Sequence, residues 1–226
     1  MKRGKNYKKR LELVDKEKAY PIEEAVDILK SYPQAGFDET VEAGGKLGID
    51  PKSSEQMIRG AVVLPHGTGK ENKVLVFCGT DKEAAAKEAG ADYIGNDEII
   101  EKISKQGWVD FDSCIATPSM MKAVSKLGRF LGPRGLMPSP KTGTVTENIS
   151  QAVKEAKRGK VNFRVDKVGC IHAGLGKISF KKEEIINNIN TFVSAVNAGR
   201  PQNLKGRLIK SFYLSTTMGP SVRVNL

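Results

Sequence analysis

Side chains able to do covalent or acid–base chemistry are sparse in this chain. Among 226 residues there are three cysteines, Cys78, Cys114 and Cys170, and two histidines, His66 and His172. The cysteines stand 36 and 56 positions apart. So odd and scattered a set is no disulfide framework and fits a reducing compartment. No Cys-x-x-Cys occurs, and a structural zinc site needs clustered Cys and His, so neither a metal nor a cofactor is expected. Cys78 and Cys114 lie inside apolar runs, where cysteine packs as a small hydrophobe. Neither histidine has a Ser or Cys neighbour at a nucleophile–base spacing, and both are read as structural. Any of the 26 acids can meet another in space, but no spacing singles out a catalytic pair.

Phosphate-binding loops fare no better. GTGK at 67–70 ends like a Walker A loop, but Leu64 stands where its first Gly belongs and Glu71 where Ser or Thr must follow the Lys. An acid there repels phosphate. GLGKIS at 174–179 starts like a dinucleotide loop, yet Ser179 replaces the third Gly. GPRG at 132–135 matches the four-residue KH loop, which joins two helices, and the following LMPSP cannot begin one. A small-molecule enzyme built on an α/β layer therefore lacks both a phosphate motif and an acid–base pair.

Two loops remain. LGRFLGPRGLMPSPKTGT (127–144) interleaves Gly, Pro, Arg and Lys without an acid. Its glycines let backbone N–H groups approach an anion, and Arg supplies a forked donor; alternatively its Pro and Gly simply turn the chain. STTMGPSVR (215–223) sets three hydroxyl residues before Met218-Gly219-Pro220. Hydroxyls and an unshielded Gly backbone can bond ribose and phosphate, and Met adds an apolar contact. A β-turn between two strands is the plainer reading, and such a turn can also bind.

Charge narrows the partner. The formal net charge is +11. Residues 1–67 carry net +1, residues 68–158 net +2 and residues 159–226 net +8. The first ten residues hold six cations, including Lys2 and Arg3, and 113–146 contain no acid. Each basic run alone reads as solvated surface, but three together suit a polyanion that gains by releasing counterions. A membrane-surface helix wants Trp or Phe on its apolar face, and the single Trp108 lies outside the basic segments. No apolar run approaches the roughly 20 residues of a membrane span. The basic N-terminus lacks a signal peptide's apolar core, so a cytoplasmic site is expected.

These groups need elements to place them. Ile22, Ala25, Val26 and Leu29 mark a helix opened by Pro21. Residues 37–49 and 59–64 read as strands. From 73 to 131 the rhythm is strand and helix in alternation: VLVFC (74–78), a helix from Asp81 to Gly90, ADYIG, a helix over 97–106, FDSCIAT (111–117), and a helix from Pro118 to Leu127. Ile149, Ala152, Val153 and Ala156 mark another helix. VNFRV (161–165) alternates as a strand, 169–180 reads as a hairpin, 183–197 as a helix, and 207–216 and 221–224 as strands. The simplest fold class is α/β with two domains. A discontinuous two-layer α+β domain, 1–67 plus 160–226, holds an inserted three-layer, Rossmann-like α/β domain at 68–159. Three sequential units are the alternative.

LGRFLGPRGLMPSPKTGTV and STTMGPSVRV, with FDETVEAGGKLGID (37–50), RGAVVLPHGTGK (59–70) and FRVDKVGCIHAGLGK (163–177), resemble the bacterial large-subunit ribosomal protein L-one family. The similarity runs in order along essentially the whole chain. It implies a non-enzymatic, monomeric protein that binds large-subunit ribosomal RNA at a mobile stalk. It also implies help in releasing deacylated exit-site tRNA and repression of the protein's own-operon mRNA through a similar RNA fold. By motif match it implies RNA-binding roles for Phe37, Thr40, Arg164, Asp166, Ser211, Thr217, Met218 and Gly219, and tRNA contact by Arg129, Arg134 and Lys141. Phe37 is equally a core candidate. Asp166 either accepts a bond from RNA or fixes Arg164 in place.

Overall fold

The computed structural model describes residues 4–33, 35–51, 53 and 56–226; Lys2 and Arg3 of the basic N-terminal run lie outside the described residues. In chain order the elements are α1 (Lys5–Glu12), α2 (Ile22–Ser31), β1 (Thr40–Leu47), β2 (Arg59–Val63), β3 (Val74–Phe77), α3 (Glu83–Glu88), β4 (Tyr93–Ile94), α4 (Asp97–Gln106), β5 (Ser113–Ala116), α5 (Met121–Ser125), α6 (Gly128–Leu131), α7 (Ile149–Lys157), β6 (Lys160–Arg164), β7 (Cys170–Lys177), α8 (Lys182–Ala198), β8 (Ile209–Thr216) and β9 (Val222–Val224). The chain is a mixed α/β protein. It forms two compact units, Met1–Gly69 with Val161–Leu226, and Lys70–Lys160.

The first unit is organised by an antiparallel sheet in the order β7-β1-β8-β9, with β2 and β6 paired separately. β1 sits between two strands from the far end of the chain. Its Ala43 faces Ala173 on β7 and Leu214 on β8. Alternate residues of the sheet point into a core shared with α2 and α8, among them Val41, Ile171, Leu175, Phe212, Leu214 and Val222. On α8, Ile185, Ile189, Phe192 and Val196 form the helix's buried stripe. Phe192 meets Phe163 of β6 edge to face, ring centres 5.6 Å apart. Each such side chain contributes roughly 1.5–3 kcal/mol by leaving water.

A polar side chain is buried against this core. Asn188 of α8 is fully buried. Its amide donates to the carbonyl oxygens of Leu175 (2.7 Å) and Gly67 (3.0 Å), and its oxygen accepts the His66 N–H (3.2 Å). Leu175 needs that donor because it is the extra residue of a β-bulge: Val41 pairs with Gly176, and Glu42 with Gly174.

The second unit is a three-stranded parallel sheet, β4-β3-β5. Val74 and Val76 pack on one side with Ala86, Val153 and Ala156; Leu75 and Phe77 pack on the other with Ile103, Val124 and Leu131. Apolar residues on both faces explain why VLVF is a continuous run. Two local expectations change. The segment expected as a hairpin at 169–180 holds a single strand, Cys170–Lys177, because Gly174 and Gly176 flank a bulge rather than form a turn. The helix expected over 118–127 begins as a 3₁₀ turn at Pro118–Met120, and α5 ends at Ser125.

Replacing Asn188 with Ala leaves three backbone groups unsatisfied. A loss of about 2–4 kcal/mol in the first unit's stability is expected by denaturant unfolding. A loss below about 0.5 kcal/mol would show that water or neighbouring groups replace the amide.

Candidate nucleic-acid interface

Helices α2 and α8 cover one face of the β7-β1-β8-β9 sheet. The register places the remaining side chains on the other face. Across its middle run His172, Gly44, Tyr213 and Arg223; to one side lie Cys170, Lys46 and Ser211, and to the other Gly174, Glu42 and Ser215. Small residues on adjacent strands keep this face low. His172 lies against Gly44, where an added Cβ would come 3.4 Å from its ring. His172, Tyr213 and Arg223 are exposed. Among the face residues named, Glu42 is the one acid, against Lys46 and Arg223.

At one end of the face stands the Thr217-Met218-Gly219 turn. Thr217 Oγ1 accepts the Thr40 N–H at 3.0 Å, and the Thr217 N–H returns to the Thr40 carbonyl at 3.2 Å. Lys177 Nζ donates to Thr40 Oγ1 at 3.1 Å. Met218 is 57% exposed and Phe37 53%, so Phe37 is not core. Phe37 lines a cavity of about 680 Å³ that also reaches Tyr32, Glu39 and Ile178. Gly219 has no room for a side chain: a Cβ there would lie 2.4 Å from Thr216 Oγ1 and 2.9 Å from the Tyr32 ring.

Under this turn is a buried ion pair. Arg10 of α1 donates to both oxygens of Glu39, at 3.0 and 2.5 Å, and also to the Pro33 carbonyl. Glu39 in turn accepts the Met218 N–H at 3.0 Å. The guanidinium lies over the Tyr32 ring, 5.7 Å from its centre, and burial pushes the Tyr32 hydroxyl's pKa up. Burial by itself raises the Glu39 pKa. Hydrogen bonds from Arg10 and Met218, with the Thr216 hydroxyl beside them, outweigh it and hold the carboxyl below its ordinary 4.5. Thr216 Oγ1 acts there by proximity, since no hydrogen bond of ordinary geometry joins it to a partner. Neither Arg10 nor Glu39 stands out in the sequence. Both look solvated, and 29 positions separate them.

The other end of the face holds Asp166 and Ser211. Asp166 Oδ1 accepts the N–H groups of Cys170 (2.7 Å) and Val168 (2.8 Å). The Cys170 bond chiefly, then that of Val168, holds its carboxyl below the usual range, with His172 nearby adding to the effect. The carboxylate therefore shapes its own turn and makes no bond to Arg164, which is exposed at the end of β6. Lys46 Nζ donates to the Val168 carbonyl of the same turn. Lys46 faces Ser211 across the sheet.

The expected residues thus fall into two groups rather than one. Phe37, Thr40, Thr217, Met218 and Gly219 are together; Asp166 and Ser211 lie at the opposite end, with Arg164 two residues before Asp166. The six steps along β1 from Thr40 to Lys46 put the ends roughly 20 Å apart. Between them are His172, Tyr213 and Arg223, with Lys46 beside Ser211 at the Asp166 end; sequence reasoning placed none of these on the face. His172 was read as structural and is exposed, as is His66. The signal for the missed residues is strand alternation, but it needs the register to say which face is uncovered.

In the second unit Arg129 lies on α6 and Arg134 and Lys141 on the loop after it. All three are exposed, and none makes a side-chain hydrogen bond or ion pair among the described residues. Gly135 and Gly143, at φ +71° and +65°, take the left-handed backbone that turns this loop.

Arg10→Met leaves Glu39 buried and uncompensated, and is expected to cost about 3–5 kcal/mol at pH 7. A depressed acid pKa stabilises the fold above the unfolded value, and that contribution is lost as pH falls through the folded value. The difference between variant and wild type should therefore shrink as pH falls below about 4.5. Unfolding curves at both pH values check this; an equal penalty at each would rule out the ion pair as its source.

The chain matches the model of the "Ribosomal protein L1p/L10e family" over residues 29–220. It is 54% identical over 228 aligned positions to the "Large ribosomal subunit protein uL1" of Persephonella marina (strain DSM 14350 / EX-H1), covering 100% of this chain and 94% of that relative. On both grounds the chain belongs to the ribosomal protein L1p/L10e family.

Proposed function

We propose that the protein is a constituent of the large ribosomal subunit that binds large-subunit rRNA at the mobile stalk. We propose further that it assists release of deacylated tRNA from the exit site and represses translation of its own mRNA. As a ribosomal protein it is a structural component, not an enzyme, and works in the cytoplasm within the ribosome. No helix among the described residues is long and apolar enough to cross a membrane.

The observation that carries the RNA reading is the uncovered sheet face ending in the Thr217-Met218-Gly219 turn. Residues 1–67 with 160–226 form the RNA-binding domain in this reading, and 68–159 the inserted one. The wide, shallow minor groove of an A-form helix offers ribose hydroxyls to a flat surface. Thr217, Thr40 and Ser211 supply hydroxyl partners. Met218 and Phe37 supply apolar contact, Gly219 an unshielded backbone, and Arg164 a phosphate contact. Asp166 contributes by holding its turn or by accepting a ribose hydroxyl. One site serves both RNAs, so protein in excess over rRNA binds the messenger by mass action. Off the ribosome it is a monomer. The inserted domain is nearly neutral, at net +2 over residues 68–158. That suits transient tRNA contact through Arg129, Arg134 and Lys141.

In filter binding, affinity for an rRNA stalk fragment should fall by ~0.7–0.9 log units per log unit of salt for each phosphate neutralised. Thr217→Val should weaken that complex by about 1–2 kcal/mol and barely alter binding to unrelated RNA. Equal losses on both RNAs would remove Thr217 from recognition. Replacing Arg129, Arg134 and Lys141 together with Ala should weaken tRNA association with stalk-bearing ribosomes and leave affinity for the rRNA fragment unchanged. An unchanged tRNA affinity would contradict the inserted domain's role.

A further inference from the structure

A second concavity of about 340 Å³ opens where β8 begins and β9 ends, lined by Arg207, Lys210, Ser211, Arg223, Asn225 and Leu226 among others, with no Asp or Glu side chain in its wall and the Leu226 carboxylate as its one anionic group. Arg207, Lys210 and Arg223 are exposed, and among the described residues none makes a side-chain hydrogen bond or ion pair. Some cations elsewhere do find acids: Lys70, Lys73, Lys82 and Lys182 each meet a carboxylate, whereas these three, like Arg129, Arg134 and Lys141, do not. Three unpaired positive charges gathered in one hollow repel one another, and an anion placed among them removes that cost.

The backbone builds this arrangement. Lys46 of β1 pairs with Ser211, but the next residue, Leu47, pairs with Ile209. Lys210 is therefore the extra residue of a β-bulge, a device that re-aims a side chain. Gly48 makes the close approach possible. A Cβ there would lie 2.6 Å from the Arg207 carbonyl oxygen and 3.2 Å from Lys210 Cε. The Gly48 N–H donates to the Leu208 carbonyl at 2.7 Å. The segment carrying two of the three cations is thus held against β1.

We infer that Arg207, Lys210 and Arg223 form a phosphate cradle for an RNA backbone, continuous through Ser211 with the sheet face. The inference rests on the RNA reading above. An open hollow lined by long cations and polar backbone suits a phosphodiester chain that passes through it. The cradle fixes the register of the RNA on the sheet and reads no sequence, since phosphate contacts position without specifying.

The test is a triple variant, Arg207→Ala, Lys210→Ala and Arg223→Ala, titrated with salt against the rRNA stalk fragment and an unrelated structured RNA. The control removes three lysines of the second unit, Lys87→Ala, Lys105→Ala and Lys154→Ala. The cradle variant should lose ~0.7–0.9 of salt slope per phosphate released, and close to tenfold in affinity per phosphate near 0.1 M salt. The loss should be similar on both RNAs, unlike that of Thr217→Val. Lys210→Gln alone, which removes one charge at the bulge, should show a smaller loss of the same kind and serves if the triple variant unfolds. A cradle variant whose slope matches the control's overturns the inference and leaves the RNA reading intact. A wild-type protein with no salt-dependent affinity for either RNA overturns both.

Discussion

The pairing of β1 with β7 on one edge and β8 on the other is the constraint from which the first unit, proposed to bind RNA, follows. β1 comes from the first quarter of the chain and its partners from the last third, so the two chain ends must fold together. The register then decides the rest. It turns Val41, Ala43 and Leu47 toward α2 and α8 and leaves Thr40, Glu42, Gly44 and Lys46 on the uncovered side. An antiparallel sheet tolerates one solvated face because its polar side chains alternate with apolar ones. Here that face is low, carries two aromatic rings and is cationic at its margins.

The two ends of the face are held in different ways. At the Met218 end a buried carboxylate ties the turn to α1 through Arg10, so the first described helix helps to hold that turn in place. Breaking such a pair costs more than the pair itself contributes, since a lone buried charge remains. At the Asp166 end the carboxylate is exposed and spends its bonds on two backbone N–H groups. The charge it presents is already committed to the turn, which resolves how an acid can stand on a cationic surface.

Much of the fold was legible in the sequence because it rests on local periodicity. The apolar stripes of α2, α7 and α8 and the run Val74–Phe77 each announce their element. What was not legible depends on long-range register. His172 reads as a structural histidine until Gly44 is placed beside it. The glycines at 174 and 176 suggest a turn until β1 shows that they flank a bulge. Arg10 sits in a run of exposed cations, and nothing local marks it as the one whose side chain is buried. The Thr217 turn was singled out by family resemblance together with its chemistry, whereas the place of Lys46, Tyr213 and Arg223 on the open face required the sheet. Tyr213 looks like any strand aromatic, and only the order β7-β1-β8-β9 puts it on the open side.

The central claim is that RNA lies across the uncovered sheet face. Amide chemical-shift mapping of the isotopically labelled protein with an rRNA stalk fragment addresses it directly. The account predicts the largest changes at Thr40, Lys46, His172, Ser211, Tyr213 and Met218, with the outward residues of α2 and α8 unchanged. Changes concentrated on α8, with the β1 and β8 amides undisturbed, would contradict it.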